Sequence, residues 1–512
     1  MTPLPECWEE GVMAREIYSK DWDRMTLKEQ KEYRDSKLSY FIRTQLYPYS
    51  PFYREMFDEN KVKPEDIRKV EDLRKLPFTY KADIAPTAEE PSRFQRFILQ
   101  PNDRMMQEYM PRVQLARLRA NRLLKGEEYV KRSLWRKYGP VHIQFTTGRT
   151  GQPTPILYAA GDVERMTEAG RRVLELSGFG KQLRYDDAIL VNAMPFAPHL
   201  GFWMVAKGLD RAGVLALHSG GGRVIGTGRI ISAVENMKAT GIVGMPGYVY
   251  HVLRTAAEQG SDFSSVRLVL VSGERTSKGM KEKMGKFLGA MGAKEFYVLG
   301  ALGFTEARKG YSECVPDGDT GYHLYPDMDY IELVDPDSGE PVGEGEDGEL
   351  VYNCLEGQGT TVIRFRTGDF VKGGIVYEPC PSCGRTVPRL ASDISRSGTV
   401  KGFSLTKIKG ALVDQGAFFS VLMDHPEVAE WQVEISKAGD DPYEVDVVDV
   451  YIAPEKGADP EGLRSELEQE LQTATEVKPN MIEFLPLPEL VKRLKTESEM
   501  KEVRFVDRRP EI

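Results

Sequence analysis

Residues Gly241–Glu274 read GIVGMPGYVYHVLRTAAEQGSDFSSVRLVLVSGE. A short β-rich run, GIVGMP, is followed by a helical pattern, VYHVLRTAAEQG, and then by a second run, VRLVLVSGE. Strand, crossover helix and strand form the repeating unit of a parallel sheet. The same alternation extends outward through residues 140 to 300. Upstream lie AILVNAM, the segment from Phe202 to Ala212, GVLALHS and IISAVENMKAT, and downstream lies KEKMGKFLGAMG. The expected fold class is therefore α/β.

Beyond this core the texture changes. From Asp329 to Val376 strands and turns dominate (YIELVDPDSGEPV, GELVYN, TVIRFRTGDFV, GIVYE), which predicts a β-subdomain. Residues 392 to 402, SDISRSGTVKG, are polar and lack an apolar period, so the main domain boundary is placed there. Residues 1–395 then form a large N-terminal domain of several subdomains, and 396–512 a small α+β domain. In the latter, ALVDQGAFFSVLMDHP and EGLRSELEQELQTATE read as helices, and EWQVEIS and DVVDVYIAP as strands. Residues 5 to 60 read as a helical segment that Pro48 and Pro51 stop. Met105 to Lys137 is dense in Arg and Lys, with Leu115, Leu118, Leu123, Leu124 and Trp135 between them. It predicts one or two amphipathic helices, either packed on the core with a solvated face or presented to a partner or a membrane.

Composition narrows the functional classes. The 512 residues carry 69 Lys plus Arg against 78 Asp plus Glu, a net charge of −9, so no broad basic surface for nucleic acid or an anionic membrane is expected. The uncharged run Ala188–Ala206 contains Asn192, Pro195, Pro198, His199 and Gly201, and reads as buried strand and loop rather than a membrane span. MTPLPECWEEGVMARE has acidic residues where a signal peptide is basic, which predicts a cytoplasmic protein. Five cysteines in so long a chain do not make a disulfide framework. Neither G-x-S-x-G nor a metalloprotease histidine spacing is present.

The sharpest local signal is Thr146-Thr147-Gly148-Arg149-Thr150-Gly151-Gln152-Pro153-Thr154, after the strand-like VHIQF. Hydroxyls and small residues in such a turn let backbone N–H groups converge on phosphate oxygens. A plain Thr/Gly/Pro turn between strands has an equal claim on that loop alone. Downstream, in order, come Gly273-Glu274, Gly303-Phe304-Thr305-Glu306 and Arg366-Thr367-Gly368-Asp369. Together these motifs resemble those of the adenylate-forming superfamily, the acyl-CoA synthetases and their relatives. The resemblance is greatest to the phenylacetate–CoA ligase branch, through SPFYREMFDENKVKPEDIRKVEDLRKLPFTYKADI, ELVDPDSGEPVGEGEDGELV, CPSCGRTVPRL and KIKGALVDQGAFFSVLMDHPEVAEWQVEI. It covers most of the chain except about residues 84–138, which look like an insertion.

The resemblance implies a large N-terminal domain and a mobile small one. It implies that Thr146, Thr147, Gly148, Thr150, Gly151 and Thr305 hold ATP, that Gly273 and Glu274 line the adenine pocket, and that Asp369 accepts from the ribose hydroxyls. Glu306 would bind magnesium, Arg396 would stand at the hinge on the ATP side, and Lys501 would enter the site for adenylation. Phe196, Phe202, Pro246, Gly247 and Ala301 would border the acid, and His199 lies in the same region. Departures are visible: Gln152 replaces the Lys usual in the phosphate loop, Leu302 the aromatic residue before Gly303, and Met500 the Gly before Lys501. The implied activity is ATP-dependent, AMP-forming ligation of an aromatic or arylacetic acid to coenzyme A. The alternatives are adenylylation of a deazaflavin cofactor and an inactive ATP-binding interaction protein. The expected partners are a small carboxylic acid, ATP and CoA, with no nucleic acid and no membrane; a homodimer is left open.

A second constellation is independent of the nucleotide. Cys380-Pro381-Ser382-Cys383 is a CxxC, with Cys314 and His323 upstream. Three thiolates and an imidazole make a closed tetrahedral zinc shell, whereas a redox pair or free buried thiols are the competing readings.

Overall fold

The computed structural model describes residues 21–146, 153–181, 183–316, 320–396, 399–400, 403–408, 411–440, 445–499 and 501–509. An antiparallel pair, β1 (Pro140–Phe145) and β2 (Pro155–Ala159), precedes the main sheet. That sheet contains β3 (Ile189–Asn192), β4 (Leu215–His218), β5 (Gly241–Gly244), β6 (Leu268–Ser272), β7 (Tyr297–Phe304) and β8 (Lys309–Ser312), in the order β4-β3-β5-β6-β7-β8. All neighbours are parallel except β7 and β8. Helices cover the sheet, so β5 and β6 are buried almost throughout, which is why GIVG and LVLVS are unbroken apolar runs. The quoted stretch is a βαβ unit whose crossover helix, Pro246–Gln259, buries Val249, Tyr250, Val252 and Leu253.

The β-subdomain is a four-stranded antiparallel sheet of β9 (Asp329–Val334), β10 (Gly348–Cys354), β11 (Phe365–Lys372) and β12 (Asp393–Arg396). The stretch read as a boundary thus begins as an edge strand, and its backbone places Arg396 directly opposite Asp369. Hydrogen bonding to β11 gives these polar residues an order that no apolar period announced. A similar correction applies at Ala411–Asp414, expected as the start of a helix. These residues pair with Phe403–Ile408, and the helix is Gln415–Asp424. A four-stranded sheet follows, in the order Met481–Phe484, Asp446–Pro454, Val428–Lys437, Phe505–Asp507, around the fully buried Trp431. The last strand runs parallel to its neighbour, with Val433 opposite Phe505.

Near the N-terminus the helix Leu27–Phe41 starts with a capping box between Thr26 and Glu29. It does not stop at Pro48. Residues Ile42–Leu46 widen into a π-helical turn, where the Tyr47 N–H bonds to the Ile42 carbonyl, and the chain stays helical to Tyr49. The wider turn relieves the clash that a proline imposes on an α-helical ladder. The direction changes at Ser50, which caps Pro51–Glu59. The start of the described chain is tied to a distant loop: Arg385 donates to Asp23 at 2.8 Å, the Thr386 hydroxyl to the Met25 carbonyl at 2.7 Å, and Gln30 to the Thr386 carbonyl at 3.0 Å. The basic stretch forms the helices Asp103–Tyr109, Arg112–Lys125 and Glu127–Tyr138, and Arg112–Lys125 buries no residue. Among the described residues no helix is long and apolar enough to cross a membrane.

Candidate functional site

A cleft of about 810 Å³, open mouth included, lies beyond the carboxyl ends of β3, β6 and β7, where doubly wound sheets bind their ligands. Thr146, Met194, His199, Leu200, Met204, Met245, Gly273, Thr305, Glu306, Lys81 and Lys501 are among its lining residues. Thr146 and Thr154 close the neck of the intervening loop: the Thr146 N–H donates to the Thr154 carbonyl at 3.1 Å, and the Thr154 N–H to the Thr146 hydroxyl at 3.2 Å. The expected phosphate ligands Thr147, Gly148, Thr150 and Gly151 lie outside the described residues.

The turn Phe304–Arg308 that carries Thr305 and Glu306 rests on a buried charge cluster. Asp162 lies 2.6 Å from Arg165 and 2.7 Å from Arg308, and accepts from the Gly359 N–H at 2.6 Å. Burial alone would raise its carboxyl, yet Arg308 and Arg165 hold it down to about 2. Thr305 and Glu306 are themselves buried on this turn.

Lys501 arrives from the C-terminal domain, just before the strand Phe505–Asp507. Its Nζ donates to the Gly273 carbonyl at 2.9 Å. Flanking residues anchor this segment. Glu502 accepts from Thr496 at 2.8 Å and from Arg504 at 2.5 Å, and it abuts Gly247, where any Cβ would overlap its carboxylate. Arg504 also donates to Glu430 at 2.9 Å, and Glu430 meets Arg254 of the N-terminal domain at 3.2 Å. Burial opposes ionisation of Glu430, but Arg504 and Arg254 keep its carboxyl below the usual range. Further along the interface, Lys283 donates to the Met423 and Val428 carbonyls at 2.7 and 2.8 Å, and Tyr250 to the Ala429 carbonyl at 3.2 Å.

The residues expected around the acid divide. Phe196 and Phe202 stack edge to face, 5.0 Å apart, and both pack on Trp203; Phe196 is 64% exposed. Aromatic side chains found one another there, while Met194, Leu200, Met204 and Met245 line the cleft. Pro246 and Gly247 open the crossover helix, and Ala301 is buried on β7. His199 does border the cleft; burial lowers its imidazole, and its Nε2 is 3.0 Å from the Pro195 carbonyl. Glu274 lines an adjoining cavity with Tyr248, Arg223, Thr496, Glu499 and Glu502. The glycine run 220–222 borders it too, and a Cβ at Gly222 would strike the Tyr248 ring. Asp369 and Arg396 face each other across β11 and β12 rather than meeting only in sequence pattern. Lys81 had no assigned role; its only sequence signal was its place in the motif FTYKADI.

The second constellation also converges. Cys314, His323, Cys380 and Cys383 bring four ligand atoms within 4.8 Å of one another. Cys314 Sγ is 3.7 Å from Cys380 Sγ, and Cys383 Sγ is 3.7 Å from His323 Nε2. Two sulfurs bound at about 2.3 Å to one tetrahedral zinc stand about 3.8 Å apart. Hydrogen bonding with Cys314 holds the Cys380 and Cys383 thiols below their ordinary range, against the effect of burial. Among the described residues, His323 Nδ1 is buried without a hydrogen-bond partner. The donor set fits zinc, and the four ligands would staple the loop after β8 to the Cys380–Cys383 turn.

Comparison with known proteins agrees with this architecture. Residues 82–360, more than half of the chain, match the AMP-binding enzyme family. The chain is 25% identical over 398 residues to a phenylacetate-coenzyme A ligase of Thermus thermophilus, covering 77% of this chain and 76% of that protein. It is 25% identical over 431 residues to the Aromatoleum evansii phenylacetate-coenzyme A ligase, covering 83% of each. In fold it is similar to a 2-hydroxyisobutyryl-CoA ligase solved in its postadenylation state, with a TM-score of 0.74, 20% identity, and coverage of 97% of this chain and 93% of that one. The matched span, the cleft and the ordered motifs lead to one conclusion: the chain belongs to the AMP-binding enzyme family, within the adenylate-forming superfamily, on the branch of the phenylacetate–coenzyme A ligases.

Proposed function

We propose that the protein is an AMP-forming acid–CoA ligase that activates an aromatic or arylacetic acid as its acyl-adenylate and passes the acyl group to coenzyme A. The observation that carries this reading is the meeting of Thr146, Thr305 and Glu306 with Lys501 in one cleft. A carboxylate is a poor acyl donor because oxide is a poor leaving group. Its oxygen attacks the α-phosphorus of ATP and pyrophosphate departs; the CoA sulfur then attacks the acyl carbon and AMP departs. Both steps need charge stabilisation rather than a protein nucleophile.

In this reading Lys501 bridges the attacking carboxylate and the α-phosphate. Lys81 supplies a cation that the phosphate loop lacks with Gln152, and Asp369 accepts from the ribose hydroxyls. Glu306, with the Thr146 and Thr305 hydroxyls, presents the hard oxygen donors that suit magnesium. Bound there, magnesium would neutralise phosphate charge. The relatives' substrate and the apolar wall of Met194, Leu200, Met204 and Met245 favour an arylacetic acid. At the second site Cys314, His323, Cys380 and Cys383 hold structural zinc.

The test is ATP–pyrophosphate exchange with aliphatic, aromatic and arylacetic acids, followed by detection of the CoA thioester. Exchange and thioester formation with an arylacetic acid are expected. Exchange without thioester would move the protein to the adenylyltransferases, and no exchange with any acid would make it an inactive nucleotide-binding protein.

A further inference from the structure

The helix Arg112–Lys125 carries an apolar stripe on its outer side. Val113, Ala116, Ala120, Leu123 and Leu124 recur at helical spacing and so share one face. Val113 is 81% exposed, Leu123 87% and Leu124 82%. The opposite face is occupied: Gln114 donates to the Tyr40 hydroxyl at 3.0 Å, and Leu115 and Leu118 share a crevice with Met106 and Val130. The stripe therefore points away from the body of the protein.

Cations border it. Arg112 and Arg119 follow one edge, Arg117 the other, and Lys125 closes the C-terminal end; the helix contains neither Asp nor Glu. The adjoining helix Glu127–Tyr138 adds Trp135, 65% exposed, with Lys131, Arg132 and Arg136 within a turn of it. Its two acidic residues are already engaged, Glu127 with Lys131 and Glu128 with Arg132.

We infer that this helix docks on an anionic phospholipid bilayer, its stripe sunk among the acyl chains and its guanidinium groups level with the phosphates. An exposed apolar stripe rimmed by Arg and Lys is the pattern of an interfacial helix, because long basic side chains reach the headgroups while their stems stay apolar. A second copy is a poor occupant, since stripe-to-stripe pairing would oppose two rows of arginines on helices that themselves contain no carboxylate. The chain's overall negative charge does not prevent contact, because charges more than about 10 Å from the surface are screened at ordinary salt.

The full chain is floated with vesicles of equal parts phosphatidylcholine and phosphatidylglycerol, and with vesicles of phosphatidylcholine alone. Wild type should bind the anionic vesicles, less so as salt is raised, and should bind the neutral ones far more weakly. Leu123→Glu with Leu124→Glu should abolish binding. Arg112→Gln with Arg119→Gln should weaken it roughly 25-fold, about fivefold for each cation. These residues lie outside the cleft, so all variants should keep their adenylate-forming activity without vesicles; if the leucine pair misfolds, the arginine pair carries the same test. Failure to bind anionic vesicles, or binding that the substitutions leave unchanged, overturns the inference. A wild-type dimer that the leucine substitutions dissolve would also overturn it and assign the face to a second copy.

Discussion

Replacing Lys501 by Ala separates the two halves of the proposed reaction. Its ammonium donates to the Gly273 carbonyl at 2.9 Å and so stands at the rim of the cleft that Glu306 and Thr305 share. An ammonium about 4 Å from a reacting oxyanion, at an effective dielectric near 20, contributes about 4 kcal/mol. Removing one such preorganised donor costs about 10²- to 10³-fold in rate. Acyl-adenylate formation, read as pyrophosphate exchange, should fall by that factor. Thioester formation from supplied acyl-adenylate should stay within a few-fold of wild type, because in this reading the small domain rotates and carries Lys501 out of the cleft for that step. Equal loss in both half-reactions would mean that the C-terminal domain had come apart. No loss in either would refute the assignment and transfer the role to a neighbour such as Lys495 or Lys492.

Asp369→Ala should raise the KM for ATP, since two charge-assisted hydrogen bonds of about 1.5 to 3 kcal/mol each are lost, and leave the KM for the acid nearly unchanged. Lys81→Ala should weaken ATP use about tenfold with partial recovery in Lys81→Arg, a pattern that a purely structural lysine would not give. Protein purified without added metal should hold about one equivalent of zinc by elemental analysis, and Cys383→Ser should lower both zinc content and Tm; a metal-free protein of undiminished stability would end that reading. The carboxyl of Asp162 is held down to about 2 in the folded state, from 3.8. Its stabilisation is thus present above pH 4 and lost as pH falls through 2, about 2 kcal/mol in all. Asp162→Asn should flatten that part of the acid-unfolding curve.

The main sheet was legible because β5 and β6 are buried on both faces and their residues are apolar without interruption. Polar strands were not. Asp393–Arg396 is ordered by pairing with β11, a partner more than twenty residues away that leaves no local period. Ala411–Asp414 was absorbed into the helix it precedes, since a four-residue strand beside a helix start has too little pattern to declare itself. Pro48 misled because its cost depends on the ladder behind it, and the π-turn at Ile42–Leu46 changes that ladder. Motif order singled out Thr146, Glu306 and Lys501, and all three line one cleft. The apolar wall could not be found in this way. Any large side chain can line a pocket, and Phe196 and Phe202 instead packed with Trp203.

The anchoring of Asp23 and Met25 to Arg385 and Thr386 bears on how the chain is made. Asp23 and Thr386 are 363 residues apart. At synthesis rates of 5–20 residues per second, the first segment waits roughly 20 to 70 s before its partner loop has left the ribosome. Trp22, which packs against Tyr325 and Arg172 in the finished protein, sees Arg172 emerge before the midpoint of that interval and Tyr325 only near its end. The first described residues of the polypeptide are therefore among the last to find their places, and the growing chain carries its indole without the Tyr325 ring through most of its translation.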